Sequence, residues 1–93
     1  MTDRKVLEKA ISVYGPHLQK VVAIEEMSEL TKEICKEIRN GEEVYSIINL
    51  IEEIVDVSIM LEQLKMIYGG DDLYKFVYNQ KMNRLRERLG NDW

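Results

Sequence analysis

The chain has 93 residues, 45% hydrophobic and 32% charged, and a formal charge of −4 from 17 acidic and 13 basic side chains. That length allows a single domain, the composition is too apolar for a disordered tail, and the acidic balance argues against sequence-independent nucleic-acid binding. One cysteine excludes an internal disulfide and a cysteine zinc cluster; an N-terminus that leads straight into charged residues, Asp3 and Arg4, and the lack of any apolar run near ~18 residues predict neither signal peptide nor membrane span, hence a cytoplasmic protein.

Glycines and the single proline punctuate the sequence into four helices. Thr2 or Asp3 caps a first helix that runs to Tyr14 and stops at Gly15-Pro16. A second runs from about His17 to Arg39 and closes at Asn40-Gly41. The third spans about Glu43 to Tyr68 and ends at Gly69-Gly70. Asp71 is expected to cap a fourth that continues to about Leu89 before Gly90. No window alternates in the manner of a strand, so the fold class is all-α.

At 100° per residue the second helix gathers Ile24, Met27, Ile34, Cys35 and Ile38 on one side. Glu26, Glu29 and Glu33 form a stripe nearly opposite, flanked by Val22 and Leu30, as an amphipathic helix with a solvated acidic face would have. Cys35 is accordingly expected as a buried small hydrophobe. The third helix is apolar almost all round, from Ile47 and Ile48 to Leu64 and Ile67. Such a helix needs packing partners on every side, and a chain this short cannot supply them. The pattern predicts a homo-oligomer with this helix near the interface.

Glu53 and Asp56 lie three residues apart on that crowded helix, and Glu26 and Glu29 repeat the spacing on the second. A short connection favours antiparallel packing, which lets the two pairs face each other. Carboxylates on an apolar helix are desolvated at a cost unless positive charge matches them. Four of them suit a hard cation such as Mg²⁺ or Mn²⁺ with oxygen ligands. The plain alternative is a solvated acidic face paired with Lys32 and Lys36.

The sequence Glu25-Glu26-Met27-Ser28-Glu29-Leu30, followed by Glu52-Glu53-Ile54-Val55-Asp56 and by Asn79-Gln80-Lys81-Met82-Asn83-Arg84, resembles the MazG-like all-α nucleoside triphosphate pyrophosphohydrolases. Their signature is EExxE, then ExxD on the next long helix, then N-x-K-x-x-R. The resemblance runs from about Leu18 to Leu89 and implies a four-helix, MazG-like bundle completed by homo-oligomerisation. It implies Glu26, Glu29, Glu53 and Asp56 as magnesium ligands and Asn79, Lys81 and Arg84 as contacts to the nucleotide. The implied reaction cleaves a nucleoside triphosphate between its α- and β-phosphates, releasing the monophosphate and pyrophosphate in nucleotide-pool housecleaning. Glu25, Glu33 and Glu52 stand as candidates for the general base. The position after Arg84, often a second arginine in that family, is Leu85 here, with Arg86 and Arg88 in the next turn.

Other readings compete with this one. A helical oligomerisation module without catalysis fits the same faces, and a phosphoribosyl-ATP pyrophosphohydrolase-like activity fits the same motifs. A nucleic-acid binder would use Lys81, Arg84, Arg86 and Arg88, but Glu87 interrupts that stripe and the acidic remainder repels a polyanion. His17, after Pro16, is expected at the surface, and no E-x-x-H pair supports a di-iron bundle. Tyr68, Tyr74, Phe76 and Tyr78 are expected in the core or at an interface.

Overall fold

Chain reversals without a side-chain requirement set the four helices apart. A computed structural model describes residues 2–41 and 44–90; Glu43, expected to open the third helix, and Trp93 lie outside them. The described residues form α1 (Asp3–Tyr14), α2 (Pro16–Asn40), α3 (Val44–Tyr68) and α4 (Asp71–Leu89), with no strand among them. Thr2 caps α1, its hydroxyl accepting from Lys5 N–H at 3.2 Å. Gly15, at φ 87° and ψ 149°, both ends α1 and starts α2, a conformation that a side chain would strain. Pro16 occupies the first turn of α2, so that helix starts one residue before the expected His17.

The start of α4 differs from expectation in a more informative way. Gly70 holds the capping position with no side-chain bond, and Asp71 lies inside the first turn. Its carboxylate instead accepts from Arg4 at 3.1 Å and approaches Lys65 Nζ to 3.8 Å. Arg4 also pairs with Glu8, and Lys65 with Glu62, so one exposed charge network ties α1, α3 and the beginning of α4 together. Lys65 Nζ lies 4.3 Å from the centre of the Tyr74 ring, a second tie between α3 and α4.

Packing centres on an antiparallel α2–α3 hairpin, with α1 laid against both helices and α4 approaching α3, its Asp71 also reaching Arg4 of α1. The inward stripe of α2 is Gln19, Val22, Ala23, Glu26, Leu30 and Glu33; that of α3 is Leu50, Glu53, Val57, Met60, Gln63, Leu64 and Ile67. Both stripes advance by threes and fours, the spacing of helices crossing at a small angle. Glu26 and Glu33 of the acidic stripe therefore face α3, contrary to the expectation of a solvated acidic face, whereas Glu29 is exposed as expected. Ile24 and Ile38 on its other side are 61% and 73% exposed. Cys35 shares that exposed side and is not the buried hydrophobe expected from its spacing.

Among the described residues only Ala23, Val57 and Met60 are buried apolar side chains. Tyr68, Phe76 and Tyr78 are more than half exposed, Tyr74 nearly so, and none enters a core within the chain. The radius of gyration is 16.4 Å, against about 12 Å for a compact chain of this length. The accessible surface of 7460 Å² exceeds the roughly 5,600 Å² typical of a folded monomer of 11.0 kDa. No helix among the described residues is long and apolar enough to cross a membrane.

Candidate metal centre

Two long helices packed antiparallel place carboxylates of distant sequence opposite each other. One ligand oxygen each from Glu26, Glu53 and Asp56 lies within 4.8 Å of the others. Glu26 and Glu53 are half-buried on the inward stripes, and Asp56 sits at the exposed margin. Adjacent oxygens on an octahedral Mg²⁺ stand about 3.0 Å apart and opposed ones about 4.2 Å, so the three carboxylates would draw closer together to share one ion.

Glu53 is the strained member. Its Oε2 is buried and has no hydrogen-bond partner. Loss of hydration pushes its carboxyl above the ordinary 4.5, and the charges of Glu26, Asp56 and Glu29 push it further the same way. A buried acceptor surrounded by like charge is what a bound hard cation would satisfy, so the donor set fits Mg²⁺ or Mn²⁺.

Glu29 is exposed and stands outside the three-carboxylate group, although its charge contributes to the field on Glu53. The general-base candidates separate clearly. Glu25 and Glu52 are exposed, whereas Glu33 lies on the inward stripe of α2 and accepts from Lys36 at 3.5 Å. Asn79, Lys81 and Arg84 are exposed on α4. Among the described residues neither Lys81 nor Arg84 pairs with a carboxylate, and α4 does not pack on α2. Lys81 and Arg84 instead flank an open concavity on α4 with Tyr78 and Arg88. The chain thus assembles its acidic half-site and leaves its basic residues on a separate arm.

Sequence reasoning overlooked Gln19 and Gln63, which are buried and joined by a 2.7 Å hydrogen bond. Their signal was available: Gln19, Ala23, Glu26, Leu30 and Glu33 share one heptad-like stripe, and following it rather than the isoleucines identifies the packed face. Compared with known proteins, the chain matches no protein-family model, no curated protein and no solved structure.

Proposed function

We propose that this chain is a Mg²⁺-dependent nucleoside triphosphate pyrophosphohydrolase of the MazG-like kind, acting as a homodimer or homotetramer. The observation that carries the reading is Glu53 Oε2, buried without a partner beside Glu26 and Asp56. A structural role for three converging carboxylates would call for lysine or arginine among them, and none pairs with them in the described residues.

The substrate carries about four negative charges, so an acidic cradle accepts it only together with cations. Bound Mg²⁺ supplies charge neutralisation at the phosphates and a water acidified for attack. Glu26, Glu53 and Asp56 hold and orient that centre, with Glu29 adding negative charge at its edge. Phosphoryl transfer needs positioning and neutralisation rather than a protein nucleophile, which agrees with a site free of Ser, Cys and His. Lys81 and Arg84 offset charge on the departing pyrophosphate, and Asn79 donates to the nucleotide. Because α4 stands away from α2 in its own chain, these residues serve a site completed by a second copy.

The surface in excess of a compact monomer, about 1,800 Å² per chain, supports that second copy. Stable homodimers bury roughly 1,000–2,500 Å² per partner, so the unpartnered area is of the right size. The decisive assay incubates the protein and Mg²⁺ with a panel of deoxynucleoside and ribonucleoside triphosphates and measures pyrophosphate against orthophosphate. Pyrophosphate release is expected, with at least about 100-fold loss in Glu53→Gln and in Asp56→Asn. Orthophosphate as the product, or full activity in either variant, overturns the proposal.

A further inference from the structure

Gln19 and Gln63 are 6% and 3% exposed, the two buried polar side chains among the described residues. Gln19 Nε2 donates to Gln63 Oε1 at 2.7 Å, and Gln63 Nε2 reaches Met60 Sδ at 3.5 Å. Amides placed among apolar side chains lose water, and leucines there would pack without that cost. A packing role alone does not account for them.

Their position does. Gln19 stands seven residues before Glu26, and Gln63 seven residues after Asp56. The amide pair therefore lies about 10 Å along the hairpin from the carboxylates, towards its open end. Only residues 41–43 separate α2 from α3 along the chain, so the two helices are covalently joined at the opposite end and the acidic cluster lies between that end and the amide pair. Without a cation, Glu26, Glu53 and Asp56 repel across the seam and favour its spreading. Ala23, Val57 and Met60 resist separation but tolerate sliding, because apolar contacts carry little directional information. The amide bond tolerates neither, since any slip leaves the buried Gln19 Nε2 and Gln63 Oε1 without each other.

We propose that Gln19 and Gln63 are positioning residues that lock the register of α2 on α3 and so hold Glu26 opposite Glu53 and Asp56 before a cation arrives. The geometry stands by itself, while its use in preorganising a metal site rests on the reading given under Proposed function. The apolar double variant Gln19→Leu/Gln63→Leu removes the lock without orphaning an amide.

The test pairs two readouts on wild type and variant. Nitroxides are attached through Ser28→Cys and Ser58→Cys in a Cys35→Ser background, diluted with unlabelled chain, and their separation is measured by pulsed electron paramagnetic resonance. Mn²⁺ affinity is measured in parallel, on unlabelled protein. The double variant is expected to keep its helicity, to broaden the distance distribution and to bind Mn²⁺ about tenfold more weakly. An unchanged distance distribution overturns the proposal whatever the affinity does. Should the double variant lose helicity, the single Gln19→Met, which keeps length and helix propensity, is read by the same two measurements and the same criterion. Wild type that binds no Mn²⁺ refutes the metal reading, and the distances alone then decide the register lock.

Discussion

Replacing Glu53 with Gln separates the charge of the cluster from its shape, and its effects should have opposite signs with and without metal. The amide keeps the side-chain volume and removes a carboxylate that is desolvated and surrounded by Glu26, Asp56 and Glu29. The metal-free variant is therefore expected to melt above the metal-free wild type. With Mg²⁺ the order reverses. A ligand that binds only the folded state at 100 times its dissociation constant adds about 2.7 kcal/mol. A chain of this length unfolds with about 0.2 kcal/mol per kelvin of entropy, so wild type should gain about 14 °C. Glu53→Gln should gain little. Differential scanning calorimetry across a Mg²⁺ titration reads both effects. Equal gains in the two proteins would refute the cation-holding role of Glu53, and a metal-free variant that melts below wild type would refute the repulsion.

The pH dependence follows from the direction of the Glu53 shift. Its carboxyl holds its proton more tightly in the folded chain than in the unfolded one. Between the unfolded value near 4.5 and the raised folded value, the native state binds more protons, so stability falls as pH rises through that window. Below the window Glu53 is protonated in both states and its repulsive contribution is absent. Above the window the penalty is fully present. Metal-free wild type should lose melting temperature on this limb relative to Glu53→Gln, and saturating Mg²⁺ should remove the difference in slope.

Two further outcomes bear on how the site is completed. Light scattering coupled to size exclusion should report a mass of two or four chains, and Ile24→Glu/Ile38→Glu should reduce it towards 11.0 kDa, because those side chains already face water in the single chain. Lys81→Ala and Arg84→Ala should leave the Mg²⁺-induced rise in melting temperature intact while lowering kcat/KM about 10²-fold or more, the scale for losing a preorganised contact to developing charge. A parallel loss of the metal response would place those residues in the fold rather than at the phosphates.

Helix boundaries were legible because their determinants are local: Gly15, Gly41 and Gly90 adopt positive φ where the helices stop, and Thr2 caps where a hydroxyl was expected. The convergence of Glu26 with Glu53 and Asp56 was legible from spacing and a short reversal. The face of α2 was not. Hydropathy assigns the isoleucine side to the interior, and only the complementarity of two whole stripes, Gln19 with Gln63 included, identifies the opposite side. Asp71 was misread for a related reason: capping chemistry is local, whereas its actual partners, Arg4 and Lys65, come from α1 and α3.

The orientation of α2 carries an energetic implication. Turning the helix about its axis would bury Ile24, Met27, Ile34 and Ile38 against α3 and return Glu26 and Glu33 to water. Full burial of a large apolar side chain contributes about 1.5–3 kcal/mol, and these four are 61%, 39%, 41% and 73% exposed, so the isolated chain forgoes at most about 3–6 kcal/mol, less what exposing Val22, Ala23 and Leu30 would cost. The upper figure reaches the lower end of the whole stability of a small domain. A second copy laid on the isoleucine face recovers the burial term, and cations between Glu26, Glu53 and Asp56 remove the electrostatic one. Neither alone is sufficient: a dimer without metal keeps its repelling carboxylates, and a metal-bound single chain keeps its exposed isoleucines. Metal binding and assembly should therefore be coupled, with Mg²⁺ tightening self-association of wild type and having no such effect on Glu53→Gln.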